Sequence, residues 1–246
     1  MAIEKSNFAL VESFNDAIGY ERIKQMYYTI FIEAFHDENK RPSLEELFHL
    51  QTTTIGPFTK KSHIIHLMDI DNKIIGSIIF TTFIDIGMGI IQYIVVDKPC
   101  RDNGLSNILL QKALDVMRQD IHNHSDISNI LKFVFAEIIH YESDGITMFP
   151  PKEYMLLNTA NFKKVDIHYR QPPLKDGLTP IDYDLVVLSA DKFDCIKAED
   201  VKQFVTVFFQ SLFLLSKEQI DENINYMYVH IEDAPDPIPL YRLISF

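Results

Sequence analysis

The chain is short of the features that define several protein classes. Among its 246 residues there are only two cysteines, Cys100 and Cys195, far apart and without a CxxC pair or a histidine at ligand spacing. Neither a disulfide framework nor a structural zinc site is indicated, and a reducing cytoplasm is the expected compartment. Basic charge is also scarce: 23 Lys and Arg stand against 35 Asp and Glu, for a formal net charge of -12. A sequence-independent grip on nucleic acid or an anionic membrane needs phosphates neutralised by Lys and Arg, so both partners are excluded from the expectation. No apolar run is long enough to span a bilayer; the greasiest stretch, Val201 to Leu215, is short and broken by polar residues. The N-terminus Met1-Ala2-Ile3-Glu4-Lys5 lacks the basic start and apolar run of a secretion signal. With 47% hydrophobic and 24% charged residues, the chain is expected to fold as a globular protein with a sizeable core.

Periodicity supplies the elements. Phe8 to Phe14 alternates as a strand, and Tyr20 to Phe35 places Ile23, Met26, Tyr27, Ile30, Phe31 and Ala34 at helical spacing. After the polar link His36 to Arg41, Ser43-Leu44-Glu45-Glu46 has the form of a capping box, predicting a short helix to about Gln51. Ile64 to Asp69, a turn at Asp71-Asn72, Lys73 to Ile84 and Gly89 to Val96 read as an antiparallel meander. Ser106 to Met117 is an amphipathic helix, and Leu131 to Ile139 a nearly continuous apolar strand. The strand, helix, strand order predicts a right-handed crossover that makes Gly89 to Val96 and Leu131 to Ile139 a parallel pair. Lys152 to Thr159 is expected to be helical, with strands at Phe162 to Tyr169 and Tyr183 to Leu188. The fold class is therefore α/β with a mixed sheet, and residues 1–190 form the expected domain. In the tail, 191–246, Val201, Phe204, Val205, Phe208, Leu212 and Leu215 make a wide apolar stripe, and a second helix runs from Lys217 to Tyr228. Such a stripe must be covered, either by the same chain or by a second copy, so the protein is expected to be a monomer or a homodimer.

The most informative segment joins the strand ending Val95-Val96-Asp97 to the helix through Arg101-Asp102-Asn103-Gly104-Leu105-Ser106. A turn of this kind aims several amide N-H groups at one point, Gly104 can take a positive φ and leaves room for a ligand, and the helix dipole adds partial positive charge. It is a seat for a pyrophosphate. It is not a Walker loop, because Gly-Lys-Ser/Thr is missing, nor a Rossmann turn, because the three-glycine spacing is missing.

These residues resemble the GCN5-related N-acetyltransferase (GNAT) superfamily, whose signature is a strand ending hydrophobic-Val-Asp, then Gln/Arg-x-x-Gly-x-Gly/Ala and a Leu-rich helix. The element order over residues 8 to 190 is also that of the fold, and Phe31-x-x-x-Phe35 with Glu38, Arg41 and Ser43, Ala136-Glu137-Ile138, and Tyr169-x-Gln171-Pro172-Pro173-Leu174 look like a bacterial subgroup of unassigned substrate. The resemblance implies acetyl-CoA as co-substrate, lying in the splay between the strand ending near Val96 and the strand Leu131 to Ile139. Backbone at Ile94, Val95 and Val96 would hold the pantetheine and polarise the thioester oxygen. The turn residues Arg101, Asn103, Gly104, Leu105, Ser106 and Asn107 would cradle the pyrophosphate. The implied reaction is direct attack of a primary amine, on a small molecule or a peptide, on the thioester. The alternatives are an acyl-CoA-binding sensor without chemistry and a same-fold enzyme using longer acyl chains.

Glu137 is the leading candidate base, since it interrupts an apolar strand where a carboxylate is costly to bury. The alternative is a structural carboxylate bonded to loop amides or an arginine. The family's general acid is a Tyr five residues before the Phe of a Gly-Phe pair; aligning Asn161-Phe162 with that pair puts Leu157 there, so either Tyr154 or Tyr141 substitutes, or solvent protonates the thiolate, or the protein is not a transferase. Glu33, Glu38 and Tyr169 would border the acceptor pocket, and acidic lining would suit an amine. His122-Asn123-His124 is assigned to a loop, and no metal site is expected.

Overall fold

A computed structural model describes residues 8–38, 41–50, 58–124, 130–139, 152–175, 177–189, 193–212 and 215–243. The chain divides into two compact units, Met1–Leu131 and Lys132–Phe246. Residues 132–190 and 191–246 fall in the same unit.

In the first unit, β1 (Phe8–Ser13), β2 (Lys60–Asp69), β3 (Ile74–Phe83) and β4 (Met88–Val96) lie side by side in that order, each antiparallel to the next. The meander forms where its turn chemistry directs it. Asp69 Oδ1 accepts from the amides of Asp71 and Lys73 at 3.0 and 2.9 Å, and Asn72 takes the left-handed conformation, φ 61°, that closes the β2–β3 hairpin. One irregularity matters for the site. Ile79 pairs Tyr93 but Phe80 pairs Ile91, so Gln92 is an extra residue in β4, a bulge that bends the strand before Ile94. Its side chain accepts from Thr81 Oγ1 at 3.0 Å.

The first helix is α1 (Ala17–Met26), started by Asp16, whose carboxylate accepts from the Gly19 amide at 2.7 Å. The predicted single helix to Phe35 is interrupted: Tyr27–Phe31 is a π turn, with the Ile32 amide bonded to the Tyr27 carbonyl, before α2 (Ile32–Ala34). Extra aromatic bulk accompanies the interruption, since Tyr27 stacks on Phe31 and Phe31 packs on both Phe35 and Tyr93 at ring distances of 4.9 to 5.6 Å. Then α3 (Leu44–His49) carries the full capping box read from Ser43 and Glu46.

The long helix α4 (Leu105–His124) covers β3 and β4. Gly89 permits the approach, for a Cβ there would lie 2.6 Å from the Met117 sulfur. The helix runs beyond the expected Met117, so His122 and His124 sit in its last turn rather than in a loop. The physical reason is Asp120: although charged, it lies on the buried face, where His63, Lys61 and Thr82 hold it.

In the second unit, β5 (Phe133–Ile139) is followed by α5 (Lys152–Thr159), β6 (Lys163–Val165), β7 (Tyr169–Gln171), β8 (Ile181–Ser189), β9 (Cys195–Ile196), α6 (Ala198–Gln210), α7 (Lys217–Glu232) and β10 (Ile238–Arg242). The strand order is β5-β8-β6-β10-β9, with β7 also on β8, and every pairing is antiparallel. The expected strand Phe162 to Tyr169 is two short pieces, because the chain bends at residues 166–168, where the Ile167 amide turns back to the Val165 carbonyl at 2.9 Å. The stripe on α6 is covered within its own unit: Phe204 stacks on Phe135 of β5 at 3.8 Å between ring centres, and Phe204 and Phe208 are both almost wholly buried. The strands β9 and β10 have no counterpart in the sequence reading, being two and five residues long and, in β10, interrupted by Pro239.

No helix among the described residues is long and apolar enough to cross a membrane, and none of their His, Cys, Asp and Glu side chains cluster as a metal site.

Candidate active site

Two sets of residues carry chemistry, one in each unit. In the first, β4 passes through Asp97 and the single turn Lys98–Cys100 into the segment that starts α4. Asp97 anchors the entry, paired with Lys73 at 2.6 Å, and its amide donates to the Ile75 carbonyl at 2.9 Å. Two side chains of the turn bond to backbone carbonyls. Arg101 Nε donates to the Val96 carbonyl at 3.0 Å, and Asn103 Nδ2 donates to the carbonyls of Cys100 and Arg101, both at 3.1 Å.

Two residues of this turn take left-handed backbone, Asp102 at φ 66° and Gly104 at φ 74°. A Cβ built on Gly104 meets nothing within 4 Å. The glycine is therefore not needed for packing. It keeps open the space in front of the first amides of a twenty-residue helix, where a side chain would stand in the path of an anion. Ser106 and Asn107 follow in the helix's first turn, and Leu105 is buried as its anchor. In β4, Ile94, Val95 and Val96 pair along β3 with Ile78, Ser77 and Gly76, just past the Gln92 bulge. Cys100 lies beside the turn, and partial burial and the Asp97 charge raise its thiol pKa, which disfavours the thiolate.

The acids expected to border an acceptor stand on the same unit. Glu33 on α2 and Glu38 after it are exposed, and Glu38 pairs with Arg41 at 3.3 Å, whose guanidinium also donates to the Phe35 carbonyl at 2.6 Å. Phe35 and Tyr93, only partly buried, pack edge to face beside them at 5.2 Å.

In the second unit the centre is Glu137 on β5. Its Oε1 accepts from the Tyr169 hydroxyl in a very short hydrogen bond, and its Oε2 accepts from Gln171 Nε2 at 2.8 Å. The two donors are alternate residues of β7, so they project to one face of that strand. Glu137 keeps a partial opening to solvent, yet its carboxyl lies in dense protein; that desolvation raises its pKa to about 7, against the opposing pull of the Tyr169 hydrogen bond. Burial and the neighbouring Glu137 charge push the Tyr169 phenol well above its ordinary value.

The site thus differs from the sequence reading in the roles open to its members. Tyr169, 1% exposed, is a partner of Glu137 rather than a wall against which an acceptor lies. The partners of Glu137 are a phenol and a carboxamide, not the loop amides or arginine weighed from the sequence. Tyr154 is buried, its hydroxyl bonded to Asp184 at 2.7 Å and to the Ile139 carbonyl at 3.2 Å, and Asp184 is paired in turn with Lys164 at 2.8 Å. Leu157, at the family's usual Tyr position, is also buried. Tyr141 lies outside the described residues. Gln171 was quoted only as part of a sequence pattern; its signal as a site residue was the period of two that it shares with Tyr169.

Residues 20–130 match the model of the acetyltransferase (GNAT) family. This segment of the chain is similar to a GNAT acetyltransferase domain. The match runs from within α1 through α4, and includes the turn between β4 and α4. No curated protein matches the chain. Among solved structures, a proposed acetyltransferase of the GNAT family from Bacteroides thetaiotaomicron is 17% identical, spans 85% of this chain and 99% of its own, and superposes with a TM-score of 0.55. The tandem GNAT protein from the clavulanic acid biosynthesis pathway is 12% identical, with 67% of this chain and 46% of that one aligned and a TM-score of 0.50. These likenesses show the mixed α/β GNAT fold. The matched segment is that of a family of acetyltransferases, for which acetyl-CoA is the usual co-substrate.

Proposed function

We propose that the protein transfers an acetyl group from acetyl-CoA to a primary amine by direct attack on the thioester. The observation that carries the reading is Gly104: a left-handed residue with open space where its side chain would stand, at the head of α4, inside the segment that matches the GNAT family. The turn from Arg101 to Asn107 suits a diphosphate, because the Arg101 and Asn103 side chains are bonded to backbone carbonyls and the turn leads into the N-terminus of α4. Backbone at Ile94 to Val96 is assigned to the pantetheine arm. Acetyl-CoA, when bound, supplies the activated acyl group; the residues supply position and a proton acceptor.

Glu137 is assigned that proton. An attacking amine must be neutral, and a carboxyl with a pKa of about 7 is half ionised at neutral pH, which suits a group that must accept a proton and give it up again each turnover. The Gln171 amide and the Tyr169 hydroxyl hold both carboxylate oxygens, which fixes the orientation of the group. The exposed acids Glu33 and Glu38 favour a cationic or neutral acceptor, a small amine or a peptide amine. Among the described residues no side chain is assigned as acid for the departing thiolate, since Leu157 cannot donate and Tyr154 is committed to Asp184, which leaves solvent or Tyr141. The protein is assigned to the cytoplasm, as a monomer or a homodimer.

A second reading, an acyl-CoA-binding sensor without turnover, is favoured by that same missing acid. Release of CoA from acetyl-CoA across a panel of primary amines separates the two: amine-dependent release supports the enzyme, while tight acetyl-CoA binding without release for any amine supports the sensor. The same panel run with longer acyl-CoAs sets the acyl length.

A further inference from the structure

We propose that Arg170 and Tyr226 are positioning residues for Glu137, so that the C-terminal helices set the geometry of the candidate base. The inference rests on the assignment of Glu137 above and on contacts wholly within the second unit.

The strand β7 is three residues long, too short to be fixed by its ladder with β8 alone, whose pairs are Tyr169 with Tyr183, Arg170 with Asp182 and Gln171 with Ile181. Tyr169 and Gln171 leave one face and hold Glu137; Arg170, between them, leaves the other. Its guanidinium lies 3.4 Å above the centre of the Tyr226 ring on α7, close enough for a stacked cation–π contact. Its Nε is buried with no hydrogen-bond partner among the described residues, so the ring face is what that edge of the cation meets. The backbone amide of Arg170 donates to the Met227 sulfur at 3.3 Å, one residue further along α7. A third fastening comes from α6, where Phe209 packs on the Tyr169 ring at 6.3 Å.

Among the described residues, these contacts from the tail hold β7 in addition to its pairing with β8 and its two bonds to Glu137. A guanidinium stacked on a phenol ring has no hydrogen-bonding reason to be there; its effect is to fix the register and tilt of a strand whose opposite face carries the two donors to Glu137. Letting β7 lift by an ångström would break bonds to both carboxylate oxygens and admit water to a desolvated carboxyl. The charged and titratable groups facing this clamp are His168 and Asp182 from the β7–β8 side, 3.5 Å apart, and His230 from α7, whose ring lies 4.8 Å from that of His168 and 4.5 Å from that of Tyr226. Tyr169 faces Glu137, and Tyr183 acts in turn on Tyr169.

The test is the ionisation of Glu137, read without any acceptor. In protein labelled at the glutamate δ-carbon with carbon-13, the Glu137 resonance is the one missing from Glu137→Gln and titrates in the wild type near pH 7. Tyr226→Leu removes the ring face and is expected to move that titration down by at least one unit, toward an ordinary glutamate. Tyr226→Phe keeps the ring and is expected to leave it in place, a rescue that a role for the hydroxyl would not give. Arg170→Gln, which removes the cation from the same stack, is the second probe and is expected to act like Tyr226→Leu. Far-ultraviolet circular dichroism confirms that each variant is folded. A Glu137 titration unchanged in both folded variants overturns the positioning role and leaves Glu137 as base untouched. A wild-type Glu137 that already titrates near 4.5 overturns the assignment of the base itself.

Discussion

Gln171 Nε2 donates to Glu137 Oε2 at 2.8 Å, and through that bond a residue read from the sequence as mere pattern fixes one oxygen of the candidate base. An acid whose pKa is raised by folding binds its proton more tightly in the native state than in the unfolded one. It therefore weakens folding as pH rises from about 4.5 to about 7, and adds no further change above that.

The first prediction follows from that sign. Wild type and Glu137→Gln, compared by denaturant unfolding, should differ increasingly in the variant's favour between pH 4.5 and 7, by at most about 3 kcal/mol, and by a constant amount above pH 7. With an amine that supports turnover, kcat/KM of the wild type should rise with an apparent pKa near 7, and Glu137→Gln should lose that limb along with roughly 10² or more in kcat. A pH-independent stability difference would mean that Glu137 titrates normally.

His63 gives the opposite slope. Its Nδ1 lies 2.5 Å from Glu12 and its Nε2 2.8 Å from Asp120, tying β1 and α4 to β2. Burial works against its protonation, but the two carboxylates outweigh that and raise its pKa to about 9. The bound proton stabilises the first unit fully below pH 6.5, and that contribution is lost as pH rises through about 9. Wild-type Tm should fall across this range by several degrees more than that of His63→Gln. Parallel Tm curves would show that the imidazolium contributes nothing.

Tyr154 separates structure from chemistry. Tyr154→Phe removes a hydroxyl from Asp184, which keeps Lys164 at 2.8 Å, so stability should fall by about 1 kcal/mol while kcat stays within twofold. A drop in kcat of more than tenfold, with the pH profile losing its alkaline limb, would make Tyr154 the general acid.

The tail is predicted to belong to its unit's core. Phe204→Ala deletes a ring stacked on Phe135 and should cost about 3 to 5 kcal/mol. A chain ending at residue 190 should aggregate, because Phe135, Tyr169 and Arg170 lose Phe204, Phe209 and Tyr226 together. A folded, monodisperse truncation would show the helices to be an accessory.

Legibility followed the range of the forces involved. The turn between β4 and α4 was readable because everything that forms it lies within ten residues: a strand end, Gly104 and a helix start. The capping box at Ser43 and the hairpin at Asn72 were readable for the same reason. The extra residue at Gln92 was not, since a bulge shows only against the partner strand. Nor was the length of α4, where a charged Asp120 on an apolar face reads as a helix end until His63 arrives from 57 residues away. The break between β6 and β7 was hidden in a continuous apolar-polar alternation. It matters most, because it frees Tyr169 and Gln171 to face Glu137. Glu137 itself was conspicuous as a lone acid in an apolar strand, while its partners lay 32 and 34 residues further on.

The most direct test of the account is calorimetric titration of acetyl-CoA into the wild type and into Gly104→Val. Valine at φ 74° is strained, and its side chain would fill the space now open before the α4 amides. The wild type should bind one acetyl-CoA per chain, and the folded variant at least tenfold more weakly, about 1.4 kcal/mol or more. Equal affinity in the two, or no binding to the wild type, would contradict the assignment of this turn to the co-substrate.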